Sequence, residues 1–386
     1  MKIENIYLII FILLVTSCSG RKNKKNKIVM PRSIIEINVS SELINKEIDY
    51  TNLIDSIEVI KLETNGNSLI GSIRKIEFHD DKFYVSTDTQ VLLIFDRNGN
   101  YINKLSKKGK GPGEYLEMRD FSVDKDGSIK ILSFNTILTY DLNLKYIRQK
   151  TINVTSHTGR EINPIHFLPI GDFTFLYTGS FALKNLIPGN DYALYCINSK
   201  NKIVGEYFPL LSSETSGHQN FYRSNDLINL TNTYGNDTIY QIIDDYIIPK
   251  VFVNFLDDRI TANDMMDDRA AMYNTMSNNG LCGNVMKVYE NSNYLCFKFT
   301  RGRYPKQCVY NKKTQEIKVI NIVNSLPFPK IITEGLVDNS FFTTINPYVL
   351  LQETNGKNYN DFLNTFNLTS LKETDNPIII KFKFKF

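Results

Sequence analysis

The sequence is poor in the residues from which metal and nucleophilic sites are built. Its 386 residues hold only five cysteines and four histidines. No two cysteines stand at C-x-x-C spacing, so a zinc site is not indicated. His79, His157, His166 and His218 make neither H-E-x-x-H nor H-x-H, so metal ligation has no support either. There is no G-x-S-x-G and hence no sign of an acyl-transfer nucleophile. The acidic pairs Asp257-Asp258 and Asp267-Asp268 are adjacent in sequence, unlike the separated acid and base of a glycosidase. Long apolar runs are missing too. The run Ile6–Val15 is about half the ~20 residues that a membrane span needs.

Alanine is scarce, and what stands in its place favours β-structure. The chain has 24 Phe and 22 Tyr and is 42% hydrophobic. Aromatic and branched side chains suit a pleated, half-buried surface.

Residues 1–17 read as a secretory leader, with Lys2 before the apolar run. Val15-Thr16-Ser17-Cys18 resembles a lipobox, which predicts cleavage and lipidation at Cys18. Residues 18–40 are then the lipidated cysteine and a basic tether containing Arg21-Lys22-Asn23-Lys24-Lys25-Asn26-Lys27. The tether either touches anionic head groups or serves as a solvated spacer. Without residues 1–27, 39 basic residues face 40 acidic ones, so the basic character of the chain is no sign of a nucleic-acid partner. No acidic residue directly follows Cys18. An outer-membrane lipoprotein facing the periplasm is the expectation, with the cell surface as the second location.

The remaining chain, 41–386, carries a repeat. Ile76–Phe78, Lys82–Ser86, Val91–Asp96 and Tyr101–Leu105 predict four short strands separated by turn residues. Phe121–Val123, Ile129–Ser133, Ile137–Asp141 and Tyr146–Gln149 repeat the pattern. Phe95-Asp96 matches Tyr140-Asp141, and Tyr101-Ile102 matches Tyr146-Ile147, both at an offset of 45. A four-strand unit of this length is the size of a propeller blade.

Four longer, less regular units follow, the last including Phe341–Ile345, Tyr348–Glu353 and Ile378–Phe386. Ile57–Leu62 is a strand with no local partner. Pairing it with the last strands closes the ring and removes an open edge. The tail Lys381–Phe386 alternates, which points its phenylalanines at the neighbouring blade and its lysines at water. Asp257–Asn279, with Met265, Met272 and Met276 at helical spacing, predicts a helical insertion over about 257–280. Such a helix either packs its methionine face on the end of the propeller or serves as a lid or adaptable contact surface. Lys357–Asn376 is a weaker second insertion. A hairpin turning near Gly302 sets Cys296 opposite Cys308 and allows a cross-strand disulfide; two buried free thiols are the alternative.

Gly109-Lys110-Gly111-Pro112-Gly113-Glu114-Tyr115 lacks the Gly-Lys-Ser/Thr ending of a phosphate loop and precedes a strand. It reads as an interblade turn. With Ile60–Thr64, Phe95-Asp96, Gly99, Phe121–Asp124 and Glu373–Pro377, it resembles the six-bladed β-propeller lipoproteins of gut Gram-negative bacteria, a family related to NHL-repeat propellers. That resemblance implies fold and location but no reaction. The fold class expected is therefore all-β, a six-bladed propeller closed by its terminal strands.

In such a ring, Glu114, Tyr115 and Arg119 are expected at a channel mouth. Arginine grips a carboxylate or phosphate, and tyrosine stacks on a sugar or aromatic ring. The bland competitor is an ion pair of Arg119 with Glu114 or Asp120. Asp120 and His166 complete the expected ligand-binding set. No cofactor or metal is expected. The functional expectation is a scaffold for a glycan, a peptide or an envelope protein, attached to the membrane by its lipid. The alternative is a lyase or lactonase-like hydrolase with a channel metal held by Asp120, His166, Asp226 and Asn284. A purely structural envelope protein is the third reading.

Overall fold

In the computed structural model of the chain, residues 28–46, 48, 52–178, 191–210, 220–232, 236–260, 264, 269–321, 332–352 and 359–386 are described. The expected leader, Cys18 and the basic run fall outside them, as do His218 and Met265.

The chain starts as a strap. β1 (Ile35–Asn38), α1 (Ser41–Asn45) and β2 (Ile54–Lys61) come before the first blade. Blade one is β3 (Ile73–His79), β4 (Lys82–Thr87), β5 (Leu92–Asp96) and β6 (Tyr101–Leu105). Blade two is β7 (Asp120–Val123), β8 (Ile129–Ser133), β9 (Thr136–Tyr140) and β10 (Tyr146–Thr151). Blade three is β11 (His166–Ile170), β12 (Phe173–Tyr177), β13 (Tyr192–Asn198) and β14 (Ile203–Pro209). β15 (Phe221–Ser224), β16 (Leu227–Leu230), β17 (Thr238–Ile243) and β18 (Tyr246–Asn254) make blade four. After α2 (Arg269–Asn279) comes blade five: β19 (Cys282–Glu290), β20 (Tyr294–Arg301), β21 (Tyr304–Asn311) and β22 (Ile317–Asn321). β23 (Gly335–Val337) and β24 (Ser340–Ile345), then α3 (Pro347–Leu351), α4 (Asn360–Thr365) and β25 (Ile378–Phe384), end the chain.

These strands form six sheets, and the ring closes as expected. The sixth sheet has the order β2-β25-β24-β23, with Ile57 opposite Phe382 and Lys61 opposite Ile378. Phe382 and Phe384 are buried while Lys383 is exposed. The outermost strand is β2, however, so the lysines of β25 do not guard an edge. β1 adds a fifth strand to blade four, parallel to β18, and Ile28 bridges Ile247 beyond it. The propeller thus reaches into the range expected to be tether. α1 contacts β22 of blade five on the way to β2.

The core lies in the seams between blades. One apolar layer joins blades one and two around Tyr84, Tyr115, Phe121 and Tyr140. Others fill the remaining seams, the largest around Phe255, Phe297, Phe299, Phe341 and Phe382. The offset of 45 has a physical cause. Asp96 Oδ1 accepts from the backbone N–H of Asn98 and Asn100, and Asp141 Oδ1 from Asn143 and Lys145. Asn198 does the same for Lys200 and Lys202. Each closes the turn before a blade's outer strand. Gly99, at φ +89°, completes the first of these turns where a Cβ would lie 2.1 Å from the Lys61 carbonyl oxygen.

Several details differ from expectation. Where a strand was expected over Tyr348–Glu353, the described residues Tyr348–Leu351 are helical. Asn346 caps α3 by accepting from the Tyr348 N–H, and Pro347 occupies its first turn. The 257–280 insertion contains a 3-10 turn, Leu256–Asp258, and the helix α2, with Met276 buried. The β20–β21 hairpin pairs Arg301 with Tyr304, which sets Cys296 against Val309 and Phe297 against Cys308. Adjacent strand positions point to opposite faces. The two cysteines therefore do not meet, and all four described cysteines are free and buried.

The two ends of the blades differ. Hairpins such as Asp80-Asp81, Asn225-Asp226 and Asp338-Asn339 make one end a ring of tight turns. The other end carries the interblade connections and α2, α3 and α4. Long connections on a rigid scaffold are where binding residues concentrate.

Candidate functional site

At the loop end a cleft of about 550 Å³ opens where blades one, two and three meet. Arg74 enters it from the start of β3 and Arg119 from the connection before β7. Arg160 and Asn163 come from the connection before β11, and His166 from that strand's first position. Asp191, Tyr192 and Tyr195 supply the far wall.

The expected site residues divide sharply. Gly109–Tyr115 is an interblade connection, as expected, but it sits between blades rather than at a mouth. Gly113, at φ +73°, lies against Tyr146 of blade two, and its carbonyl accepts from the Tyr140 hydroxyl at 3.0 Å. Glu114 folds back onto the Gly111 N–H at 2.8 Å. Tyr115 is 1% exposed; its hydroxyl donates to the carbonyls of Gln90 at 2.7 Å and Leu105 at 3.2 Å. Burial withdraws that ring from any stacking role, so Tyr115 leaves the expected set, and Glu114 does not reach the cleft lining.

Arg119, Asp120 and His166 do come together. Arg119 lies over the Phe134 ring at 4.2 Å and donates to Asn163 Oδ1 at 2.7 Å and the Pro164 carbonyl at 3.1 Å. Its acidic partner is Glu117, at 3.3 Å, not Glu114 or Asp120. Asp120 is buried and committed to the ring. It receives Lys75 Nζ at 2.8 Å and the Phe167 N–H at 3.2 Å. Burial alone would raise its pKa, but Lys75 and then His166 outweigh this and hold it at about 2. Lys75 also meets Glu77 at 2.8 Å. Asp120 therefore aims His166, whose Nδ1 stands 3.4 Å from Asp120 Oδ2, rather than facing a ligand itself.

Arg74, Arg160, Asp191, Tyr192 and Tyr195 were not anticipated. Arg160 is paired with Asp191 at 3.2 Å, and Asp191 also accepts from the Thr158 hydroxyl at 2.9 Å. Tyr192 packs edge-on between His157 at 5.9 Å and Tyr195 at 6.3 Å and remains partly exposed. Arg74 is exposed, and its one hydrogen bond among the described residues is long, 3.4 Å to the Met118 carbonyl. A signal for it existed. The offset of 45 that aligns Asp96 with Asp141 also aligns Arg74 with Arg119 and Lys75 with Asp120.

Asp226 lies at the opposite, turn end, paired with Lys125 at 3.3 Å, and Asn284 is buried on β19. The four candidate metal ligands do not converge. Among the described residues no three of His, Cys, Asp or Glu gather to hold an ion.

Residues 34–383 match the family described as "Domain of unknown function (DUF4934)". The chain belongs to that family. A solved structure from Bacteroides fragilis NCTC 9343, described as a "Putative exported protein", is similar over 92% of this chain and 100% of its own, at 17% identity and a TM-score of 0.71. This likeness shows the fold. The extracellular domain of a hybrid two-component system from B. thetaiotaomicron aligns over 75% of this chain and 36% of its own, at 14% identity and a TM-score of 0.36. No curated protein matches the sequence.

Proposed function

We propose that this DUF4934 chain is a cell-envelope binding module that holds its ligand in the cleft between blades one, two and three. The observation that carries this reading is the convergence of three guanidinium groups, from three separate segments, beside the part-exposed ring of Tyr192. Arg119 and Arg160 are braced by Asn163 and Asp191, while Arg74 is left to meet a carboxylate or other polar ligand group. Tyr192 offers a face to a sugar or an aromatic side chain. A glycan or an envelope peptide fits this lining. The Asp120–His166 pair is compatible with an enzyme, but Asp226 at the far end removes the ligand set that reading needs.

The reading includes attachment to the outer membrane through a lipid on Cys18, with the propeller facing the periplasm. The lipobox-like Val15–Cys18 and the basic run after it support this. The four-strand repeat supports kinship with NHL-repeat propellers.

A thermal-shift screen against glycans and envelope peptides tests the cleft. A ligand that raises the melting temperature of the native chain should lose at least about tenfold in affinity with Arg74→Ala or Tyr192→Ala, both of which remain folded. Unchanged affinity in both variants removes the cleft as the site.

A further inference from the structure

Large apolar side chains collect in the open along the outer edge of blade four. β1 is the outermost strand there and pairs with β18 alone. Ahead of it Ile28 bridges Ile247, and the Val29 N–H donates to the Ile247 carbonyl at 3.1 Å. Ile28, Val29 and Met30 are exposed, as are Ile34 and Ile35 where β1 begins. Ile243 and Tyr246 are exposed on the β17–β18 hairpin, next in sequence to Ile247. Among the described residues these are seven of eighteen exposed large apolar side chains. Such residues scattered singly need no explanation, but a gathering at one edge does.

The place of this edge is defined by the sheet. The β17–β18 hairpin is the third connection of an antiparallel sheet whose first connection, Asn225-Asp226, belongs to the turn end. First and third connections share an end, so the chain joins the ring at the turn end, away from the cleft. Residues 21–35 hold six basic residues, Arg32 and the five of the basic run, and no acid. Glu36, Asp244 and the buried Asp245 are the acids of the adjoining strand and hairpin, so the balance stays positive. Ten residues lead from Cys18 to Ile28. They span at most about 35 Å when fully extended, so a lipid on Cys18 keeps this edge within reach of the bilayer.

We infer that the outer edge of blade four, at the turn end, docks on an anionic phospholipid bilayer, with Met30 and Tyr246 in the interfacial layer. The inference rests on the lipid attachment proposed for Cys18 and adds an orientation to it. An interfacial contact combines burial of apolar side chains with attraction of neighbouring cations to the head groups, and this edge offers both. Tyrosine suits the same layer, with its ring in the apolar part and its hydroxyl at the head groups. A second copy added as a strand fits less well. β1 is only four residues long, and Pro31 before it has no N–H to give a new neighbour. With this corner on the bilayer, the cleft at the loop end opens to the aqueous side.

The chain contains no tryptophan, so a single introduced one reports its own surroundings. The full chain, isolated from membranes, is reconstituted with vesicles of phosphatidylethanolamine and phosphatidylglycerol, with and without bromine on the acyl chains. The reporters are Met30→Trp and Tyr246→Trp, at positions 67% and 42% exposed. The control is Tyr304→Trp, 73% exposed at the loop-end hairpin of β20 and β21. Bromine should remove about half or more of the emission from both reporters, because an interfacial apolar face sits ~5–10 Å into the head-group and acyl boundary. Tyr304→Trp should keep its emission, and adding Met30→Asp to Tyr246→Trp should restore most of what bromine removes. Unchanged emission at either reporter overturns the inference, and so does equal quenching at all three positions. A stable dimer without quenching overturns it in favour of a second copy on this edge. The intact mass of the purified chain reads the lipid separately. Lipid on Cys18 without quenching removes the docking and leaves the attachment, whereas an unmodified Cys18 removes both.

Discussion

Lys75 and Asp120 show how one buried pair organises three blades. Lys75 reaches from β3 to Asp120 on β7, and Asp120 reaches on to the Phe167 N–H and the His166 ring on β11. Because the Asp120 pKa falls from 3.8 to about 2 in the folded chain, this group contributes stability above pH 4. That contribution, about 2 kcal/mol, is lost as pH falls through 3.8 towards 2. Asp120→Asn leaves the Lys75 ammonium buried beside Glu77 alone. Urea unfolding should show it destabilised by about 3 kcal/mol or more at pH 7. The gap to the native chain should narrow steadily below pH 4; a gap independent of pH would contradict the assignment. Asp120 was legible as an interior acid in the sequence, but the ion pair with Arg119 that adjacency suggested is not made. Its role was not legible, because the deciding partners Lys75 and Phe167 are set by the ring and not by spacing along one strand. Tyr115 misled for a related reason. Its neighbours are glycines and charges, which suggest exposure, while its hydroxyl is taken up by two carbonyls from blade one.

At the scale of elements, most strands were readable, short ones such as β7 and β16 included, and two inner strands were not. β8, from Ile129 to Ser133, and β13, from Tyr192 to Asn198, fall at the expected positions because both are flanked by turn residues and rich in branched or aromatic side chains. β15 and β23 escaped because neither Phe221–Ser224 nor Gly335–Val337 shows an alternation to detect. Both are inner strands, and a strand that is buried on all sides needs no polar face. α3 was misread from its apolar residues although Asn346-Pro347 carried a helix-start signal. The closing pair was legible from the alternating tail. β25 is held between β24 and β2, and Phe382 is 1% exposed against Phe341 at 6.2 Å. Phe382→Ala should cost about 3–5 kcal/mol in chemical unfolding. Removing β1 should cost less, since it only adds a fifth strand to a blade that already has four. Equal losses from the two changes would mean that β1 is part of the closure.

The whole molecule is a ring whose seams, not its blades, hold the apolar core. Cys196, Cys282, Cys296 and Cys308 all lie at 0% exposure in those layers. Burial pushes the Cys282 thiol up to about 12, and those of Cys296 and Cys308 well upward too. Native protein should leave these four unmodified by a thiol reagent over hours, and a reductant should not change its melting temperature. In denaturant all four should react at once, because opening one seam breaks the circle. Stepwise labelling would show blades that open independently. The strap from β1 to β2 gives the circle a direction in time. Residues 54–61 leave the ribosome among the first, yet their partner, residues 378–384, leaves among the last. Throughout synthesis, then, β2 travels as an unmatched edge, and a chain stopped a dozen residues short of its end would never be able to shut.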